Sequence, residues 1–295
     1  MRIDDRKEGK AMIEALKQHW PEYLIEGIGL GVFMVSACGF GVLLEHPATA
    51  VHRALPDPVM RRVLMGAAMG LTAMLIIYSP WGKRSGAHIN PAVTLTFWGL
   101  GKIEKADAFY YIFSQFVGAI GGVWIAGLFL RDRLADGALN YAVTLPGNAG
   151  TRVAFAAAAI ISFILMMTVL TISNRVEIAR YTGLLAGCLV AFFIAFEAPL
   201  SGMSMNPARS FGSAFVAGTW PSIWIYFTAP PLGMLSAAAI YRRLTGVSGI
   251  LCAKLHHLNQ ERCIFKCKFG EAVNPASARW PVSKEPHARG TFVNQ

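Results

Sequence analysis

The 295-residue sequence predicts an all-α membrane protein: six transmembrane helices plus two short re-entrant half-helices, arranged as an inverted repeat. Three observations carry that prediction. Hydrophobic residues make up 54% of the chain and charged residues only 15%, where a soluble domain carries about 25% charged residues. Six apolar stretches approach or exceed the roughly 20 residues that a helix needs to cross a hydrocarbon core of about 30 Å. One eight-residue pattern occurs twice. The composition excludes a disordered chain, and 29 glycines without a triplet period exclude collagen. Five cysteines are too few for a disulfide scaffold.

In chain order, the first 20 residues mix Arg2, Arg6, Lys7, Lys10 and Lys17 with acids. They lack the apolar core and small-residue cleavage site of a signal peptide, so the first span is expected to remain in the protein. Residues 1–22 read as a cytoplasmic segment, 23–244 as the membrane domain with repeats over about 23–130 and 153–241, and 245–295 as a basic cytoplasmic tail. The six spans are predicted at 23–44, 63–80, 107–130, 153–172, 181–200 and 221–241. They must be helices, because every backbone polar group in lipid needs an internal partner and these stretches are too continuously apolar for barrel strands. Two further apolar stretches, Pro91–Gly99 and Pro207–Ala217, are too short to span. Each starts with Pro after Asn and follows a polar, Gly-containing segment, the pattern of a broken helix at a membrane transport site.

Orientation follows from the basic residues. With the N-terminus inside, twenty Lys and Arg fall on the inner side and six on the outer, with Arg209 set aside inside the second short segment. That bias predicts that both termini are cytoplasmic. Basic ends flanking an apolar middle are thereby read as membrane topology, not as a nucleic-acid surface.

The repeated pattern is Ser85-Gly86-Ala87-His88-Ile89-Asn90-Pro91-Ala92 and Ser201-Gly202-Met203-Ser204-Met205-Asn206-Pro207-Ala208, identical at five of eight positions. Three crossings separate the two, so they enter from opposite faces, as an inverted repeat requires. Asn is a favoured N-cap and Pro a favoured first helical residue, so each half-helix should begin at its Asn-Pro. Two helix N-termini then face each other at mid-membrane, each with about half a positive charge, and oppose cations and protons. The Asn90 and Asn206 amides are expected to cap these helices and to donate hydrogen bonds into the pore. Gly86, Ala87 and His88, with Gly202, Met203 and Ser204, should form extended pore-loop backbone, tolerated at that depth only beside a cavity or inside protein. His88 reads as a brace for its loop in preference to a pH sensor.

With its two Asn-Pro-Ala motifs, Arg209 directly after the second, and Glu26 in the first span, the chain resembles the aquaporin (major intrinsic protein) family over residues 22–244. The resemblance implies a homotetramer in lipid, with one pore per protomer, and a passive channel for water that excludes protons and ions and also admits small neutral solutes such as glycerol. No cofactor is implied for transport. It places Arg209 at an outer constriction together with Met69, Ile194 and Met203; Met69 is preferred over Gly70 as the second-helix position. This set lacks the aromatic residue and the His usual in strict water filters. Ser210, Ala214 and the Tyr226-Phe227 pair resemble the water type instead. The family's first-span Glu, here Glu26, braces the pore loops; its fourth-span mate is replaced by Ala158.

Outside the resemblance, Cys252, His256, Cys263 and Cys267 suggest a zinc site in the tail, since zinc favours four Cys and His ligands. The i, i+4 spacings of Cys252/His256 and Cys263/Cys267 would place each pair on one helical face. The competing reading is a basic helix lying on anionic headgroups. Two rival functions are a secondary transporter, which would place an ionisable coupling residue mid-span, and a membrane enzyme. Glu26 and Glu197 are the acidic candidates for coupling. The segment Gly202 to Asn206 is not a nucleophile elbow, because its last residue is not Gly.

Overall fold

In the computed structural model, which describes residues 2–246 and 249–273, the described residues form helices and loops with no strand. Eight helices organise the membrane domain: α1 (Arg2–Glu45), α2 (Pro58–Tyr78), α3 (Pro91–Gly99), α4 (Lys105–Leu130), α5 (Thr151–Ser173), α6 (Thr182–Phe196), α7 (Pro207–Ala217) and α8 (Ile223–Thr245). Six of them, all but α3 and α7, are long and apolar enough to cross a membrane. The chain is therefore a multi-pass integral membrane protein.

The packing repeats with the sequence. Helix α1 packs along α4, and α5 packs along α8, so each half contains one such pair. The halves meet where α2 lies on α6. Each half-helix reaches into the other half: α7 packs on α4, and α3 on α8. Without a hydrophobic drive between helices in lipid, association depends on close van der Waals contact, which small residues permit. A Cβ on Gly118 of α4 would overlap the Gly27 carbonyl oxygen of α1. At the α2–α6 crossing, a Cβ on Gly70 would stand 2.5 Å from the Gly187 oxygen.

The N-terminal segment runs directly into the first span, because α1 continues unbroken through Pro21. Polar contacts hold this stretch to its neighbours: His19 Nδ1 lies 2.7 Å from Asp107, the Tyr23 hydroxyl donates to Asp107 over 2.6 Å, and Arg84 pairs with Glu22 at 3.0 Å. One expectation needs correction: the first part of the tail is not helical, so neither the i, i+4 ligand faces nor a basic helix on headgroups describes it. Residues 249–268 take an irregular path, followed by a helical turn at Phe269–Val273, and they fold back over the face where α2 and α5 end. Ile250, Ala253, Lys254 and Phe269 are buried there. The remainder of the predicted tail, residues 274–295, lies outside the described residues.

Candidate functional site

Both half-helices begin where the motifs predict. Asn90 Oδ1 accepts the Ala92 N–H at 2.9 Å, and Asn206 Oδ1 accepts those of Ala208 and Arg209 at 3.1 and 3.2 Å. Pro91 and Pro207 occupy the first turn. The amide nitrogens cross between loops: Asn90 Nδ2 donates to Met205 O at 2.9 Å, and Asn206 Nδ2 donates to Ile89 O at 2.7 Å. One hydrogen of each amide is therefore committed to the opposite loop, leaving one for the cavity. Ala92 and Ala208 are fully buried and pack in the core.

The loops leading to the two motifs share one backbone shape. Gly86 and Ala87 have φ of +97° and +55°, and Gly202 and Met203 have +74° and +49°. A left-handed residue with a side chain costs about 1–3 kcal/mol, so the surroundings must hold Ala87 and Met203 in place. Matching bonds do so. The Ala87 and Met203 N–H groups donate to Ser85 Oγ and Ser201 Oγ, while Tyr111 and Tyr226 donate to the Ser85 and Ser201 carbonyls at 2.6 and 2.7 Å.

The halves differ at the carboxylate. Glu26 is completely buried and accepts from Ser85 Oγ (2.8 Å), His88 N (3.0 Å), Ile89 N (2.6 Å) and Gln115 Nε2 (2.9 Å). Its counterpart Ala158 packs among Ala154, Ile225 and Tyr226 and supplies no acceptor. The second loop is supported from another direction. Arg209 donates through Nη1 to the Thr144 hydroxyl, and Thr144 lies 3.2 Å from Ser210 Oγ, which donates to Ser204 Oγ at 2.6 Å. The neighbouring Gly147 N–H donates to Leu200 O at 3.0 Å. Sequence reasoning missed Thr144, which lies in a connecting loop outside both motifs.

A cavity of about 310 Å³ follows these parts from Glu45 and Arg62 on one face to Leu255 on the tail face. Met69, Ile194, Met203 and Arg209 all line it, whereas Gly70 is turned into the α2–α6 contact. Ala87, His88, Asn90, Gly202, Ser204 and Asn206 also reach its wall. Gly86 does not, because its carbonyl accepts the Leu255 N–H at 3.1 Å. His88 is occupied on all sides: Nε2 donates to Ala253 O at 2.8 Å, Nδ1 faces Thr94 Oγ1 at 3.1 Å, and the ring stacks between Phe97 and Phe265.

The tail contributes a second cluster. Ligand atoms of Cys252, His257, Cys263 and Cys267 lie within 4.8 Å of one another. The histidine is His257, not His256, because the segment is irregular and the helical i, i+4 register does not apply. His256 packs edge-on against Tyr78 instead. Burial pulls the His257 imidazole down, but hydrogen bonds with the Cys263 and Cys267 thiols outweigh it and raise it to about 9. Hydrogen bonds with Cys252 and Cys263, joined by His257, hold the Cys267 thiol well below the usual range.

Comparisons with known proteins point to one family. The model of the major intrinsic protein family matches residues 14–241. The chain is 36% identical to Aquaporin NIP1-1 of Arabidopsis thaliana over 66% of its own length and 66% of that protein's. It is likewise 36% identical to glycerol uptake facilitator protein-like 6 of Lactiplantibacillus plantarum, over 59% of its own length and 81% of that protein's. Another Arabidopsis relative is spanned over only 59% of its length. The X-ray structure of the aquaglyceroporin from Plasmodium falciparum superimposes with a TM-score of 0.64 at 19% identity, covering 79% of this chain and 99% of that one. That likeness speaks to the fold.

Proposed function

Because this chain belongs to the major intrinsic protein family, we propose that it is a passive channel for water that also admits small neutral solutes such as glycerol and rejects protons and ions. One observation carries the reading. The N-termini of α3 and α7 meet at a shared cavity, tied by the Asn90 and Asn206 amides, with Arg209 on the same wall. Two helix N-termini and a guanidinium aimed at one water path raise the energy of any cation there. Met69, Ile194 and Met203 serve as the apolar side of the constriction, which supports passage of solutes larger than water. Met is unbranched and adapts to its contents.

Neither Glu26 nor Glu197 reaches the cavity wall, and Glu26 is fully engaged by its loop. That arrangement favours a channel over an ion-coupled transporter, whose coupling group must meet its ion. The reading carries with it a homotetramer in lipid and an orientation with both termini in the cytoplasm, at the plasma or inner membrane. The tail cluster is a candidate zinc site, separate from the conduction path's own chemistry.

Stopped-flow shrinkage of proteoliposomes, with water, glycerol and urea as permeants and a pH-sensitive dye inside, tests the proposal. Osmotic flow above that of empty vesicles with an intact pH gradient is expected. Saturable, gradient-driven uptake or proton flow tracking water flow would refute it.

A further inference from the structure

The tail-facing end of the cavity is built from the chain's own C-terminal segment. Leu255 lines it and is only 6% exposed. Its N–H is bonded to Gly86 O, and Ala253 O two residues earlier accepts from His88. Phe265 stacks on the His88 ring with centroids 5.3 Å apart and presses on Gly86, whose Cβ, if present, would stand 2.7 Å from it. Elsewhere the segment is tied down by Lys266 N to Lys102 O (3.0 Å), Leu251 N to Asn174 Oδ1 (2.6 Å) and Arg262 Nη1 to Gln18 O (3.0 Å). It thus touches the first pore loop, the loop after α3, the end of α5, and α1.

A segment of this size without helix or strand has little to hold its own shape. Small folds below about 40 residues usually need a metal or disulfides. Within it, Lys254 Nζ donates to the Glu261 and Arg262 carbonyls at 3.1 and 2.7 Å, and Lys268 N donates to Leu251 O at 2.8 Å. These bonds close a loop around the four ligand residues. The Cys252 and Cys263 sulfurs are 3.6 Å apart, and Cys267 Sγ is 3.0 Å from His257 Nε2. Tetrahedral zinc with Zn–S bonds of about 2.3 Å sets sulfur atoms about 3.8 Å apart, and a disulfide needs about 2.05 Å. The Cys252–Cys263 separation therefore matches a shared metal and not a disulfide, and the four ligand atoms lie within 4.8 Å of one another. Three thiols with one imidazole is a zinc-type donor set.

We propose that Cys252, His257, Cys263 and Cys267 bind one zinc ion, and that the knuckle so formed seats Leu255 in the inner mouth as a metal-dependent plug. The plug half of this inference rests on the channel reading given above; the metal half stands on its own. Zinc bound to the knuckle holds Leu255 and Ala253 against the first pore loop and narrows the water path. Loss of zinc frees the segment and opens it.

The test uses the full chain, produced with zinc in the medium and purified without chelator. Metal analysis is expected to find about one zinc per chain, and less than about a tenth in Cys263→Ser/Cys267→Ser, as for a near fully occupied structural site. Less than about a tenth in the unaltered chain, or a Cys252–Cys263 disulfide in its place, would overturn the metal site. Osmotic permeability is then measured in phosphatidylethanolamine/phosphatidylglycerol vesicles, with zinc or with a membrane-permeant zinc chelator. The unaltered chain is expected to conduct several-fold faster after chelation, and Leu255→Ala to conduct fast in both conditions while keeping its zinc. Leu255→Ala and chelation keep the proposal open to refutation even where the Cys variant fails to fold. Fast flow that ignores both zinc and Leu255→Ala would overturn the plug and leave the channel reading standing. Silence of every form, zinc-free Leu255→Ala included, would overturn the channel reading and the plug with it, while the zinc content still decides the metal site.

Discussion

Asn90 and Asn206 hold each other's loops: each side-chain amide donates to the carbonyl of the residue immediately before the other, Met205 for Asn90 and Ile89 for Asn206. Each oxygen meanwhile caps its own half-helix. The two re-entrant segments are thus one unit, and neither can withdraw without breaking bonds in both.

Replacing Asn206 should accordingly damage both loops. Asn206→Ala removes a cap worth about 1–2 kcal/mol and leaves Ile89 O without its donor. Asn206→Asp keeps an acceptor for Ala208 and Arg209 but cannot donate to Ile89, and it places a negative charge at the junction. Thermal unfolding in detergent should rank the unaltered chain first. Proton leak measured with an entrapped dye should rise most in Asn206→Asp. Equal leak in both variants would contradict the proposed electrostatic barrier.

For Arg209→Val, the expectation is retained water flow with weakened cation exclusion. The variant removes the charge from the cavity wall and the bond to Thr144. Thr144→Val removes only the bond, so it separates positioning from charge. If the Arg209 variant excludes protons as well as the unaltered chain does, the half-helix N-termini alone form the barrier.

Glycerol flux should fall, with water flow preserved, in Met69→Phe/Ile194→His, which introduces an aromatic ring and an imidazole at two positions on the cavity wall. No glycerol flux above empty vesicles in the unaltered chain would remove the solute half of the proposed function.

Glu26→Ala should lower stability by about 3 kcal/mol or more, because Ser85, His88, Ile89 and Gln115 all lose an acceptor in a buried site. Glu26→Gln keeps the shape and some acceptors and should cost less. The measurement is loss of the folded protein on heating, read by size-exclusion recovery. Equal recovery of all three forms would mean that the loop keeps its shape without the carboxylate.

At the α1–α4 crossing, Gly118→Val forces side-chain atoms into the Gly27 carbonyl and should cost about 2 kcal/mol or more. The same substitution at Gly121, which has nothing within 4 Å of its Cβ position, should be nearly neutral by the same recovery assay.

Much of this was readable before the structure. Apolar length located all six spans, because lipid leaves the backbone no alternative to helix. Asn-Pro marked the starts of α3 and α7, because an N-cap and a first-turn Pro are local chemistry. Met69 lines the cavity while its neighbour Gly70 faces α6, a difference set by one step of rotation along α2. Other features depend on contacts distant in sequence. Nothing near Thr144 announces that it meets Arg209, 65 residues on. His256 and His257 are adjacent, so only the actual path of the chain decides which one turns to the thiols. The basic charge of the tail does not foretell that Lys254 is buried against carbonyls or that Ala253 meets His88, 165 residues earlier.

The docked segment begins close to the end of α8, with Ile250 only five residues beyond Thr245. A short tether of this kind keeps its cargo at an effective concentration on the order of millimolar beside the mouth. Its seating on Gly86 and His88 is therefore a unimolecular equilibrium. At a given zinc level the occupied fraction is set by the free-energy gap between seated and released forms of one chain, tenfold for every 1.4 kcal/mol or so. Diluting the protein in the bilayer, or raising its copy number, leaves that fraction unchanged.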